Sequence, residues 1–274
     1  MNAEGAELTG LPAGTPVHGG PFDLPATATG AGVTGIGDGV ITLGTTLACQ
    51  VLVDHVDTGG EMGGQTLCTL EPGRWLRAMP AMVGTASLDL TLSLVGATHA
   101  ELDGILAASP AGANGLTVLP FFSPSGERAP FIEPAARGQL SGLTINTTRA
   151  DVVRAVCEGV AYAARHCLEA AGLTGTVAIC GGGAESTAWR RILADILGRP
   201  LRVARRPEVG ARGAVIAALR AQGRPVDMAV WARPDDEVQP RAEVRTLYAE
   251  GFERYLASVG AARAVWSDQP AADS

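Results

Sequence analysis

The clearest hydrophobic pattern in the chain lies in "TRADVVRAVCEGVAYAARHCLEAAG", Thr148 to Gly172. Apolar residues at 152, 153, 156, 160, 164, 167 and 168 recur at helical spacing. Thr148, with Asp151 three residues later, has the form of a capping box, and Gly172 suits a helix C-terminus. The apolar run over 176–180 reads as a short strand, and the next helix is predicted over 187–197. Trp189, Ile192, Leu193, Ile196 and Leu197 fall on one face of that helix, and Gly198 and Pro200 end it. "LRVAR" predicts a further strand, followed by a last helix around 211–222.

Upstream the pattern is weaker. No helical or strand period is visible before Gly39, and the first thirty residues are rich in Gly, Pro and Ala. From Gly39, "GVITLGTTLACQVLV" reads as two short strands around a turn. Residues 71–109 read as helical, with "WLRAMPAMVG" interrupted at Pro80 and "ASLDLTLSLVG" continuous. The stretch 112–137 is loop-rich and full of turn residues, and the segment beyond about 261 is expected to fray. Strands that alternate with helices point to an α/β layer structure, in which ligands bind where strand carboxyl ends turn into helices.

Composition narrows the function classes. Of 274 residues, 46% are hydrophobic and only 4% aromatic, so the core must be built from Ala, Val, Leu and Ile. A net charge of −7 argues against non-specific nucleic-acid binding. Five cysteines (49, 68, 157, 167, 180) and four histidines (18, 55, 99, 166) show no Cys-x-x-Cys, HExxH or other metal-ligand spacing. The start "MNAEGAELTG" lacks the basic and apolar regions of a signal peptide, and no uncharged apolar run reaches membrane-spanning length. The expectation is a soluble, cytoplasmic protein with reduced thiols and no partner membrane.

Three stretches carry candidate chemistry. In "VAICGGGAES" a strand runs into Gly181, Gly182 and Gly183 and then into a helix. Such a junction offers free backbone N–H groups and the positive end of a helix dipole, and no side chain keeps a ligand away. The same glycines would equally serve a tight packing turn. The stretch matches neither GxGxxG nor a P-loop, because Glu185 and Ser186 hold the later positions. In "ITLGTT", Gly44, Thr45 and Thr46 could grip phosphate oxygens through N–H and hydroxyl groups, or form an ordinary hairpin turn. Asp23, in a Gly- and Pro-rich stretch, is a turn former, a helix cap or a general base waiting at a loop.

Taken in order, Asp23, "GAG" (30–32), "LGTT" (43–46), "GERAPFIEPAARGQLSGLTINTTRADVVRAVCEG" (126–159) and "GGGAESTAWRRILADILGRP" (181–200) resemble the FGGY carbohydrate kinases, with a xylulokinase-like flavour. The resemblance runs from about Ala6 to Leu219. Its most specific block is Gly138-x-Leu140-x-Gly142-Leu143 followed by Asp151-Val152-x-x-Ala155-Val156-Cys157-Glu158; Cys157 replaces a larger residue. Leu24, Pro25 and Glu185 are further departures.

The resemblance implies a ribonuclease H-like, actin-like ATPase fold, a mixed sheet covered by helices. It implies ATP and Mg²⁺, with the γ-phosphoryl group passing to a hydroxyl of a ketopentose or related sugar or polyol. Asp23 falls on the family's catalytic base. Gly44, Thr45 and Thr46 fall on the loop that contacts the β- and γ-phosphates, and Gly182, Gly183 and Ala184 on the turn that holds adenosine. The chain is expected to be a C-terminal half. Residues 1–32 would end a preceding domain and carry the catalytic loop, 33–260 would form the nucleotide-binding domain, and 261–274 a disordered tail. The partners implied are the sugar or polyol, ATP, and either a separate N-terminal domain or a second copy in a homodimer. Two other readings fit parts of the pattern: a non-catalytic nucleotide-binding or assembly module derived from such a kinase, and an actin-like ATPase without a sugar substrate.

Overall fold

The computed structural model describes residues 1–57, 59, 63–205 and 208–266. The first helix, α1 (Ala3–Thr9), buries nothing. After it come α2 (Asp23–Gly30), β1 (Gly39–Leu43), β2 (Leu47–Val53), β3 (Gln65–Cys68), β4 (Trp75–Ala81), α3 (Thr85–Leu94) and α4 (Leu102–Ala107). The middle of the chain supplies β5 (Thr117–Leu119), β6 (Gln139–Ser141), α5 (Arg149–Ala170), β7 (Val177–Cys180) and α6 (Thr187–Leu197). The remainder is β8 (Leu201–Val203), α7 (Val209–Ala221), α8 (Met228–Trp231), β9 (Asp236–Val238) and α9 (Arg245–Trp266).

Seven strands form one sheet in the order β3-β4-β2-β1-β7-β8-β9. The centre is mixed: β1 pairs antiparallel with β2 and parallel with β7, with Thr42 opposite Cys180. Strand alternation sorts the two faces. Ile41, Leu43, Leu47, Cys49 and Val51 enter the larger core, which α3, α5, α6 and α9 cover. Val40, Leu52, Leu76, Ala178 and Cys180 enter a smaller core shared with Ala28 and Ala31, at and just after the end of α2. On that face α2 and α7 cross in backbone contact. A Cβ on Gly30 would overlap the Val209 carbonyl, and one on Gly213 the Ala26 carbonyl.

Most predicted elements are present, among them α5 with its Thr148–Asp151 capping box, α6 over 187–197 and the hairpin of β1 and β2. Three expectations need correction. Trp75–Ala81 is a strand, not a helix. It is apolar on both faces, with Leu76 in the smaller core and Met79 and Ala81 in the larger, so no period-2 signal survives. Pro80 is tolerated because the β3 ladder ends opposite Ala78.

The expected loop around Asp23 is the start of α2, with Pro25 in its first turn, where a missing N–H costs nothing. This helix packs on α7, and Ala28 and Ala31 enter the smaller core beside the sheet. Finally, 261–266 do not fray. They complete α9, a helix missing from the prediction, whose Trp266 is buried edge-on to Phe121 at 5.7 Å. The rest of the expected tail, 267–274, lies outside the described residues.

Candidate functional site

Two parallel neighbours at the sheet centre, β1 and β7, end side by side at Leu43 and Cys180, and the two predicted turns begin there. Gly181 has φ 97°, a left-handed conformation that glycine adopts without strain. Its α-carbon approaches the backbone of Leu43, where a Cβ would stand 2.5 Å from the carbonyl oxygen. The chain then makes a 3₁₀ turn over Gly182–Glu185 and enters α6, whose cap is the Ser186 hydroxyl, accepting from Trp189 N–H at 3.0 Å.

The 44–46 turn is held from behind by the start of α3. Thr85 N–H donates to Gly44 O at 2.8 Å and Ala86 N–H to Thr45 O at 3.3 Å. Gly84 packs against the same turn so closely that a Cβ would stand 2.5 Å from Gly44 O. With its carbonyls engaged, the turn leaves Thr45 and Thr46 exposed. The two turns are therefore in contact through Leu43 and Thr85.

An open cleft of about 590 Å³ lies against the glycine turn, lined by Gly182, Gly183, Thr85, Asp89, Asp103 and Ser186 among others. Among the described residues its lining carries no Arg or Lys. The Asp103 carboxylate, on α4, accepts from the hydroxyls of Ser186 and, at 2.6 Å, Thr187. Burial alone would raise its pKa. Those hydroxyls and the N–H groups of Ala188 and Thr187 outweigh burial and hold it below the usual carboxylate range. Asp89 is hydrogen-bonded to His99 at 2.8 Å. The α6 N-terminus thus already carries a carboxylate, and the cleft suits a neutral, donor-bearing group better than a phosphate.

A second cleft of about 350 Å³ opens on the other side of Gly181 and Gly182, between Thr42, Cys180, Glu208 and Thr27 of α2. Asp23 is the exposed first residue of that helix, one turn before Thr27, and its Oδ1 accepts from Leu24 N–H at 2.7 Å. Gly44–Thr46 and Gly182–Gly183 are thus brought together, and Asp23 stands on the helix that walls the second cleft. Ala184 faces away from both clefts. It is buried in the larger core, and its N–H donates to Gly181 O at 3.1 Å. Among the described residues no group of three or more His, Cys, Asp or Glu is placed to hold a metal ion, and no helix is long and apolar enough to cross a membrane.

Gly84, Thr85 and Asp103 were not found from the sequence. Ser186 could have been, as a hydroxyl residue just before an apolar-periodic helix. The other three act through contacts between distant segments, which periodicity does not report.

The mixed sheet, with loops of two parallel strands meeting at its centre, has the actin-like fold of sugar kinases of known structure. The C-terminal domain model of the FGGY family of carbohydrate kinases matches residues 63–222, and the chain belongs to that family. Erythritol kinase of Brucella abortus is 33% identical over 97% of this chain and 55% of its own length. Xylulose kinase of Escherichia coli is 33% identical over 72% of this chain and 44% of its own. The crystal structure of xylulose kinase from Rhodospirillum rubrum superposes with a TM-score of 0.86 at 29% identity, over 97% of this chain and 55% of that one. The chain spans about half the length of these relatives.

Proposed function

We propose that this chain is the nucleotide-binding half of an ATP-dependent carbohydrate kinase acting on a ketopentose or a related sugar or polyol. The observation that carries this reading is Gly182. A Cβ there would meet nothing within 4 Å, and its φ is not left-handed, so the fold does not require glycine at this position. What glycine provides is bare backbone at the mouth of the cleft, where adenosine would lie across Gly182 and Gly183. The acidic lining would turn the phosphates away from α6 and toward Gly44, Thr45 and Thr46.

Asp23 would act as general base toward the sugar hydroxyl, a contribution of about 10²–10⁴-fold. Mg²⁺ would be held mainly by phosphate oxygens and water, which needs no carboxylate cluster on this chain. The named activities of the relatives, on erythritol and xylulose, support a short polyol or ketose as acceptor. The sugar, a chain supplying the other half of the relatives' length, and a second copy are the partners of this reading, in the cytoplasm.

Calorimetric titration with MgADP tests the nucleotide half of the reading. Binding that Gly182→Val abolishes supports it, and no binding to the folded chain speaks against it. Adding the missing half of a relative then tests transfer to erythritol and xylulose. ATP bound but never transferred would favour the non-catalytic module. ATP turnover indifferent to any sugar would favour the actin-like ATPase.

A further inference from the structure

The "GER" of the family block has no part in the site described so far, yet its glutamate is buried with only 2% of its surface exposed. Glu127 Oε1 gathers three backbone donors: Met82 N–H at 2.7 Å, Arg128 N–H at 2.8 Å and Ala129 N–H at 3.4 Å. The residue is itself fixed by a backbone pair with Glu133, at 2.9 and 2.8 Å. Next to it, Arg128 Nε donates to Pro80 O at 2.7 Å. Both side chains therefore grip one segment, the seven residues Pro80 to Ala86 that leave β4 and enter α3. The far end of that segment is Gly84–Ala86, which holds the 44–46 turn by two hydrogen bonds.

We infer that Glu127, assisted by Arg128, is a positioning residue for the phosphate-side turn: it fixes 80–86, and 80–86 fixes Gly44–Thr46. The inference rests on the proposed nucleotide site, but it makes a claim that site does not. The two turns touch through Leu43 and Thr85 but are held by different hydrogen bonds. Those of the glycine turn run within it, from Ala184 N–H to Gly181 O, and to Asp103 through Ser186, and none involves the segment that Glu127 grips. The 44–46 turn depends on Glu127 through a short rigid path of hydrogen bonds. A glutamate suits the task because one carboxylate oxygen can accept several N–H groups, and charge-assisted bonds of this kind are stronger than neutral ones.

The experiment compares MgADP with AMP, which lacks the β-phosphate, on the wild-type chain and on Glu127→Leu, Glu127→Gln and Arg128→Met. Amide hydrogen exchange is followed on the same proteins. Glu127→Leu is expected to weaken MgADP about tenfold or more and to leave AMP unchanged. Exchange should speed up at Thr85 and Ala86 but not in α6. Glu127→Gln keeps the Oε1 acceptor but not its charge, and should restore both readouts in part. Arg128→Met, on an exposed side chain, should move them the same way by less, and it serves if Glu127→Leu does not fold.

Equal losses for ADP and AMP would overturn the inference, as would faster exchange at 85–86 with MgADP affinity intact. A folded wild-type chain that binds neither nucleotide, with exchange at 85–86 responding as expected, would instead remove the nucleotide reading beneath it.

Discussion

Gly183 lies directly over Leu43: a Cβ on Gly183 would stand 2.5 Å from Leu43 Cγ and 2.7 Å from Cδ2. The last residue of β1 thus forms the floor of the turn that follows β7, and the two loops share one foundation. Neighbouring glycines therefore differ in kind: the fold requires glycine at 183 and does not require it at 182. Gly183→Val should lower stability by about 1–3 kcal/mol through overpacking and should also lose nucleotide binding. Gly182→Val should stay within about 0.5 kcal/mol of wild type in urea unfolding yet lose MgADP binding. If Gly182→Val binds MgADP normally, the nucleotide does not lie on this turn.

Asp23 supplies the second prediction. It is exposed, and among the described residues its carboxylate accepts one hydrogen bond, from Leu24 N–H, so little of the fold depends on it. In a complex with the other half of a relative, Asp23→Asn should cut phosphoryl transfer by about 10²–10⁴-fold with nucleotide affinity unchanged. Transfer at the wild-type rate would take Asp23 out of the chemistry.

How much of this was legible beforehand depends on where the information sits. Helices α5 and α6 announce themselves because one face repeats and local caps mark their ends: Thr148 with Asp151, Ser186, Gly198. Helix α9 does not. Its buried positions, Tyr248, Gly251, Phe252, Tyr255, Val259, Ala262 and Trp266, include small residues, while Leu247 and Val265 are apolar and exposed. The apolar stripe is therefore blurred until Phe121 and Tyr162 are known to face it. The site divides in the same way. Its two glycine-bearing turns are contiguous in sequence and were visible as strand–turn junctions, whereas their contact through Leu43 and Thr85 comes from the parallel pairing of β1 and β7. No pattern within either segment reports that pairing.

The family block makes a prediction about acid stability. Asp151 accepts from Ser109 Oγ at 2.6 Å, Asn114 Nδ2 at 2.8 Å and Thr148 N–H at 2.9 Å. These bonds, led by the Ser109 hydroxyl, lower its pKa to about 2. A carboxyl depressed in the folded state stabilises it above the unfolded pKa, and that stability is lost as pH falls through the folded value. Urea unfolding of wild type should therefore weaken between about pH 4 and pH 2. Asp151→Asn should be less stable at neutral pH and flatter across that window. An Asp151→Asn profile parallel to wild type would show that another group governs the acid limb.

The last prediction concerns Arg154 and Glu158, both buried on α5 and joined at 2.8 Å. Arg154 also donates to the carbonyls of Leu106, at 2.9 Å, and Ser109, at 3.1 Å, and to Tyr248 Oη at 2.9 Å. Glu158 Oε1 accepts in addition from Tyr248 Oη at 2.8 Å and Gly112 N–H at 3.0 Å. Two charges removed from water hold α4, the loop after it and α9 onto one helix. Removing one partner strands the other charge in the core, which costs about 3–5 kcal/mol; replacing both with apolar side chains avoids that cost. Arg154→Met and Glu158→Met should each destabilise the chain by about that amount in urea unfolding, and the double variant by less than the two summed. Because α4 carries Asp103, the single variants should also loosen the cleft wall and weaken MgADP binding. Additive stability losses in the double variant would mean that the two side chains act independently, through packing and their separate backbone bonds rather than as an ion pair.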